Sequence, residues 1–137
     1  MKFSVNQQDL QKSLGYCQGV IEKRSTLPIL SNILLEINNG HLTVTATDLD
    51  LIFIHKISNV EILEEGKTTT SSSIMYDIVR KISSGSKISF SSSSESKLQL
   101  ESEKSIFNLN CISASEFPLT DENFNQNEFS IKSKDLL

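Results

Sequence analysis

The sequence predicts an α+β domain made of two pseudo-symmetric βαβββ units, with two helices on one face of antiparallel sheets. Three observations lead there. A strand–helix–three-strand order of apolar periodicities spans residues 2–57 and recurs over 67–111. The strands alternate with period two and are separated by Asn-Gly or Ser-rich turns, the pattern of hairpins. The two helical stretches each open on Asn or Ser capping residues, and two such units in one domain imply hairpin-built sheets with the helices side by side on one face.

Lys2-Phe3-Ser4-Val5 alternates and reads as a short strand. Asn6 or Asp9 caps the following helix, whose apolar positions Leu10, Leu14, Cys17 and, at the limit, Ile21 fall at helical spacing. Gly15 and Gly19 weaken this helix, and Gly19 lies near its end. Glu22-Lys23-Arg24-Ser25-Thr26 is a polar loop, followed by Leu27-Pro28-Ile29-Leu30. Residues 33–37 form a strand, Asn38-Asn39-Gly40 a hairpin turn, and residues 42–47 the return. Residues 49–57 then alternate through Leu49, Leu51, Phe53, His55 and Ile57 and read as a third strand.

The second half repeats the order. Residues 67–70 are a β-branched strand, and Ser71-Ser72-Ser73 supplies cap candidates. Ile74, Ile78, Val79 and Ile82 set an apolar helical stripe that Ser83-Ser84-Gly85-Ser86 stops. Strands follow at 87–90, 98–100 and 105–111. The serine-dense tract 71–96 has apolar residues too periodic for disorder. Residues 1–120 are therefore read as one domain and 121–127 as a polar, acidic linker. Residues 128–137 read as the truncated start of a second domain, because Phe3-Ser4-Val5 with Asp9-Leu10 returns there as Phe129-Ser130-Ile131 with Asp135-Leu136.

Composition bounds the function. The chain has 137 residues, a net charge of −4, seven Phe, two Tyr and no Trp. That balance argues against broad electrostatic capture of nucleic acid, so any DNA contact must come from a local patch or from geometry. The longest apolar runs are too short to span a bilayer, and no signal pattern opens the chain, so a cytoplasmic location is expected. Cys17 and Cys111 stand apart from any Cys/His spacing, and no metal or other cofactor is expected. Glu36, Asp48 and Asp50 resemble a carboxylate set, but Asp48 between two strands suits a turn-closing hydrogen bond better. His41 and His55 lack a nucleophile motif nearby. No phosphate-binding Gly loop is present, and no catalytic site is expected.

Met1-Lys2-Phe3-Ser4-Val5, Thr26-Leu27-Pro28-Ile29-Leu30-Ser31-Asn32, Thr45-Ala46-Thr47-Asp48-Leu49-Asp50, Tyr76-Asp77-Ile78-Val79-Arg80 and Ser115-Glu116-Phe117-Pro118 occur in this order. In them the chain resembles the first domain of the bacterial DNA polymerase III β subunit, the sliding clamp, over about residues 1–120. The resemblance implies the DNA-clamp fold and a non-catalytic processivity role in replication. Three such domains per subunit and two subunits head to tail would form a homodimeric ring around duplex DNA, without sequence preference. The polymerase III catalytic subunit and the clamp loader would bind through domains outside this chain.

The same resemblance implies site residues. Arg24, with Lys23 beside it, matches a basic loop position that meets DNA phosphate; Lys12 and Arg80 lie on the two helices that would line the hole. Each also reads as an ordinary surface cation. Many family members carry a basic pair near the start of the second helix, where this chain has Ser73-Ile74. Phe107 and Leu109 match the subunit-interface strand, with Ile74, Lys97 and Lys104 flanking it; alternation alone fits core positions equally. The other reading is a general protein-interaction module that uses an exposed sheet edge and has no DNA role.

Overall fold

The computed structural model describes residues 1–21, 28–94 and 96–118, which form nine strands and two α-helices, with short 3-10 helices at Pro28–Ser31 and Ala114–Glu116. They are β1 (Lys2–Asn6), α1 (Gln7–Val20), β2 (Asn32–Asn38), β3 (His41–Thr47), β4 (Ile52–Ile57), β5 (Val60–Glu64), β6 (Gly66–Ser71), α2 (Ser72–Arg80), β7 (Lys87–Ser94), β8 (Lys97–Ser102) and β9 (Ser105–Ile112). The nine strands hydrogen-bond in the order β4-β3-β2-β6-β9-β8-β7-β1-β5, every pairing antiparallel.

This order exchanges the first strands of the two halves. β1 leaves its own half to pair with β7, Phe3 opposite Phe90, while β6 pairs with β2, Leu34 opposite Thr69. Phe3 and Phe90 stack at 4.7 Å and 8° between planes, which fixes the register of the exchange. β4 and β5 together fill the place that β9 fills in the second half. The chain pairs with β3 as far as Ile57, bends at Ser58-Asn59, and pairs with β1 from Val60. β9 likewise pairs with β8 along its length and reaches β6 only through Cys111 and Ile112. Side chains reinforce that short seam: the Thr69 and Thr70 hydroxyls donate to the carbonyls of Ile112 (2.7 Å) and Asn110 (3.0 Å).

The helices start where the side-chain chemistry sets them. The Asn6 side chain accepts from the Gln8 amide at 2.8 Å, and Ser71 accepts from the Ile74 amide at 3.3 Å. The two helices run antiparallel, side by side. Gln7 at the start of α1 donates to the Val79 carbonyl at the end of α2 (2.8 Å); Ser72 at the start of α2 donates to Gln18 near the end of α1 (2.9 Å). Leu10, Leu14 and Cys17 of α1, with Met75 and Val79 of α2, bury against the inward residues of both half-sheets. Burial pushes the Cys17 thiol up to about 12, so it stays protonated and packs as a small apolar residue.

Three local expectations need correction. The third strand begins at Ile52, not Leu49, because residues 48–51 are closed into a turn by Thr47 and Asp48. Ile74 is 54% exposed; of the expected α2 stripe Val79 is fully buried and Ile78 and Ile82 partly so, while Met75 takes the buried place next to Ile74. β5 was not expected at all; it lies at the end of the strand order, half-exposed and rich in Glu. The Asn39-Gly40 turn matches expectation, with φ of 50° and 81° as a two-residue hairpin of this hand requires.

Gly19 sits in the last turn of α1, with a helical backbone and, among the described residues, nothing within 4 Å of an added Cβ. Gly19→Ala is expected to stabilise the domain by about 0.5–1 kcal/mol through reduced unfolded-chain entropy. A thermal melt showing a rise of a few degrees checks this.

Candidate nucleic-acid face and strand edges

The outer surface of the helix pair is polar. Gln8, Lys12, Tyr16 and Gly19 of α1 and Ser73, Ile74, Asp77 and Arg80 of α2 are exposed on it. Lys12 makes no ion pair among the described residues. Arg80 does: its guanidinium meets the Asp77 carboxylate at 3.1 Å and lies 5.4 Å above the Tyr76 ring. An exposed i,i+3 pair is weak, so Arg80 can exchange Asp77 for another anion at little cost. Lys23 and Arg24 lie outside the described residues.

The edge candidates separate by side. Leu109 is 5% exposed and belongs to the core, and Phe107 is half-buried against it. Ile106, which sequence reasoning passed over, points the other way and is 56% exposed. Lys97 is exposed and donates to Asn110 at 2.6 Å, bracing β8 against β9, while Lys104 is exposed in the turn joining them. β9 thus has β8 on one side, and over 105–110 no partner on the other among the described residues. Among the described residues β4 likewise pairs only with β3, and β5 only with β1, so open strand edges stand on β4, β5 and the 105–110 stretch of β9.

Beside the β4 edge a turn presents apolar side chains. The Asp48 carboxylate accepts from the amides of Asp50 (2.9 Å) and Leu51 (2.7 Å). The Thr47 hydroxyl donates to the Leu51 carbonyl (2.7 Å) and accepts from the Leu49 amide (3.0 Å). These four bonds hold Leu49 at φ 83°, a conformation that costs a branched residue energy. Leu49 and Leu51 are left 60% and 61% exposed. No periodicity signals this patch, because the same alternation suits a strand.

The Leu51 and Asp50 amides hold the Asp48 carboxyl below its ordinary value of 3.8. A carboxyl depressed in the folded state stabilises the fold above its unfolded pKa and loses that contribution as pH falls through the folded one. Asp48→Ala should therefore melt lower than wild type at pH 7, with the gap closing as pH falls below the ordinary carboxyl value of 3.8. Asp48→Asn, which keeps an acceptor, should retain part of the difference. Thermal melts across that range check the sign.

Among the described residues no group of three or more His, Cys, Asp or Glu could hold a metal ion, and no helix is long and apolar enough to cross a membrane. His55 Nδ1 lies 3.0 Å from the Ser13 hydroxyl, but Ser13 is fully buried, so no substrate reaches that pair.

Comparison with known proteins agrees with this architecture. The chain is 34% identical to the beta sliding clamp of Caulobacter vibrioides over 138 aligned positions, all of this chain and 37% of that protein. It is 34% identical to the beta sliding clamp of Escherichia coli K12 over 131 positions, 96% of this chain and 36% of that protein. The chain therefore spans little more than a third of the relatives it matches. A crystal structure of the Caulobacter crescentus beta sliding clamp superposes with a TM-score of 0.82 at 38% identity, covering 88% of this chain and 32% of the other. The Bartonella birtlesii sliding clamp bound to griselimycin gives 0.83 at 38% identity, with the same coverage. Residues 1–121 match the family described as DNA polymerase III beta subunit, N-terminal domain, and the chain belongs to that family.

Proposed function

We propose that these residues form one segment of a ring that encircles duplex DNA, slides along it and tethers the replicative polymerase, as a non-catalytic processivity factor. The observation that carries this is one helix face together with open strand edges in both half-domains, those of β4 and β9 among them. Edges at both ends let copies of such a domain join side by side. The helices of every copy then line one surface, and joining copies until the chain of domains closes gives a ring. The family membership supports the same assembly, a head-to-tail homodimer in the cytoplasm.

In this reading β9 meets the partner subunit. Phe107 and Leu109 support the edge from within, Ile74, Lys97 and Lys104 flank it, and Ile106 adds apolar contact. Arg24 with Lys23, and Lys12 and Arg80 on the helices, face DNA phosphates, which carry no sequence information. Residues 121–127 link to a second domain that opens at 128. Contacts with the polymerase catalytic subunit and the clamp loader fall outside residues 1–118.

The acidic balance of the chain is compatible with this role because enclosure replaces affinity. A ring needs no net attraction to stay on DNA, and a strongly basic lining would slow its sliding. The test is topological: the chain in its full natural length, loaded on nicked circular DNA, should remain until the circle is cut.

A further inference from the structure

Met1 is built into the sheet. It is 8% exposed, and its side chain packs in the core cluster. Its α-ammonium donates to Glu64 Oε1 at 2.6 Å and to the Ser92 hydroxyl at 3.2 Å. Its carbonyl accepts from the Ser92 amide at 3.0 Å, which continues the β1–β7 ladder by one residue past Lys2 and Ser91. Gly66, at the start of β6, comes so close that an added Cβ would stand 2.9 Å from the Met1 Cβ. β5, β6 and β7 thus converge on one residue. The ammonium holds the Glu64 carboxyl below its ordinary value of 4.5, by a hydrogen bond and by its charge. β5 needs this tie more than the other strands do. A bulge between Lys2 and Phe3 leaves Leu63 out of the β1–β5 register and 81% exposed. Beyond the bulge, the Lys2–Glu64 pairing and the Met1 ammonium hold the end of the strand. The Lys87–Glu61 ion pair before it is exposed and weak.

We propose that the Met1 nitrogen is a modification site of this fold: acylation there releases the end of β5, and hydrolysis of the formyl group that starts a bacterial chain closes it. The inference is independent of the ring reading. In a formyl amide the nitrogen is uncharged and carries one hydrogen. It cannot donate to Glu64 and Ser92 at once, and it leaves the Glu64 carboxylate without its counter-charge. Hydrolysis restores both. Water attacks the formyl carbon, the carbon–nitrogen bond breaks, and the proton of the formic acid released passes to the amine, leaving formate and the ammonium. Removal of the whole residue does not substitute for this step. A chain beginning at Lys2 lacks the buried Met1 side chain, and its ammonium lies about 3.4 Å further along the strand, away from Glu64 and Ser92. The reaction class that must act on this chain is therefore amide hydrolysis at Met1 without excision of Met1.

The test compares the chain in its full natural length, made in bacterial cells with and without inhibition of deformylation, each form identified by intact mass. Amide hydrogen exchange is read over β5, with β9 as the reference. Exchange over Val60–Glu64 should be about threefold to tenfold faster in the formylated form, with β9 unchanged. In Glu64→Gln, which removes the counter-charge, formylation should change β5 exchange by less than about twofold. Glu61→Gln, whose partner is Lys87, should keep the full difference. Should the formylated chain fail to fold, Glu64→Gln with a free amine tests the same contact, and should by itself speed β5 exchange about threefold. Equal exchange in the formylated and free forms would overturn the proposal. So would a difference undiminished by Glu64→Gln, or free-amine Glu64→Gln exchanging like wild type. The proposal also fails if protein from uninhibited cells carries the formyl group, lacks Met1 or has residues ahead of it.

Discussion

Met75→Ala is expected to destabilise the domain by about 2–5 kcal/mol, while Ile74→Ala, one residue earlier, changes stability by about 0.5 kcal/mol or less. Met75 is fully buried between α2 and the sheet, so truncation leaves a cavity that the exchanged strands β1 and β6 restrict from collapsing. Ile74 is exposed on the helix face, where losing three carbons removes little packing. Against a total stability of about 5–15 kcal/mol for a domain of this size, the first change is a large fraction and the second is not. Denaturant unfolding of both variants gives the two numbers directly. A larger loss at Ile74 than at Met75 would mean that α2 sits on the sheet with the other stripe down.

That contrast also shows what the sequence could and could not say. Apolar residues of α2 fall in two interleaved sets at i,i+4, Ile74 with Ile78 and Met75 with Val79. Periodicity accepts either set. The choice belongs to tertiary packing, where the antiparallel α1 and the bonds from Gln7 and Ser72 rotate the helix. The first helix had no such ambiguity, and Leu10, Leu14 and Cys17 are buried as their spacing implies.

The strands show the same division. Asn39-Gly40 announces its hairpin, because a turn of that hand demands positive φ at both positions. The bend at Ser58-Asn59 announces nothing, and β5 beyond it alternates weakly, with Glu residues on a half-exposed edge. At residues 49–51 alternation was misleading. The expected side-chain bond at Asp48 is present, but its consequence is that the strand starts three residues later. A side chain that captures backbone amides overrides an apolar pattern that local sequence alone would extend.

The site divides likewise. Lys12, Arg80, Lys97 and Lys104 were legible as candidates because charge is visible in sequence. That Tyr16 of α1 and Tyr76 of α2 border one groove was not, since it needs the two helices to be placed side by side first. Ile106 and the Leu49–Leu51 turn were missed for a related reason: their exposure is a property of which face the chain turns outward.

The ring reading makes the largest prediction for function. If enclosure holds the protein on DNA, its lifetime there depends on whether the DNA has an end, and very little on attraction. The chain in its full natural length is loaded on nicked circular DNA, and its dissociation is followed before and after a single double-strand cut in the same sample. The account predicts that the cut shortens the bound lifetime by more than about tenfold, with the lifetime on the uncut circle nearly independent of salt. Equal lifetimes on the circle and on the cut DNA would contradict it.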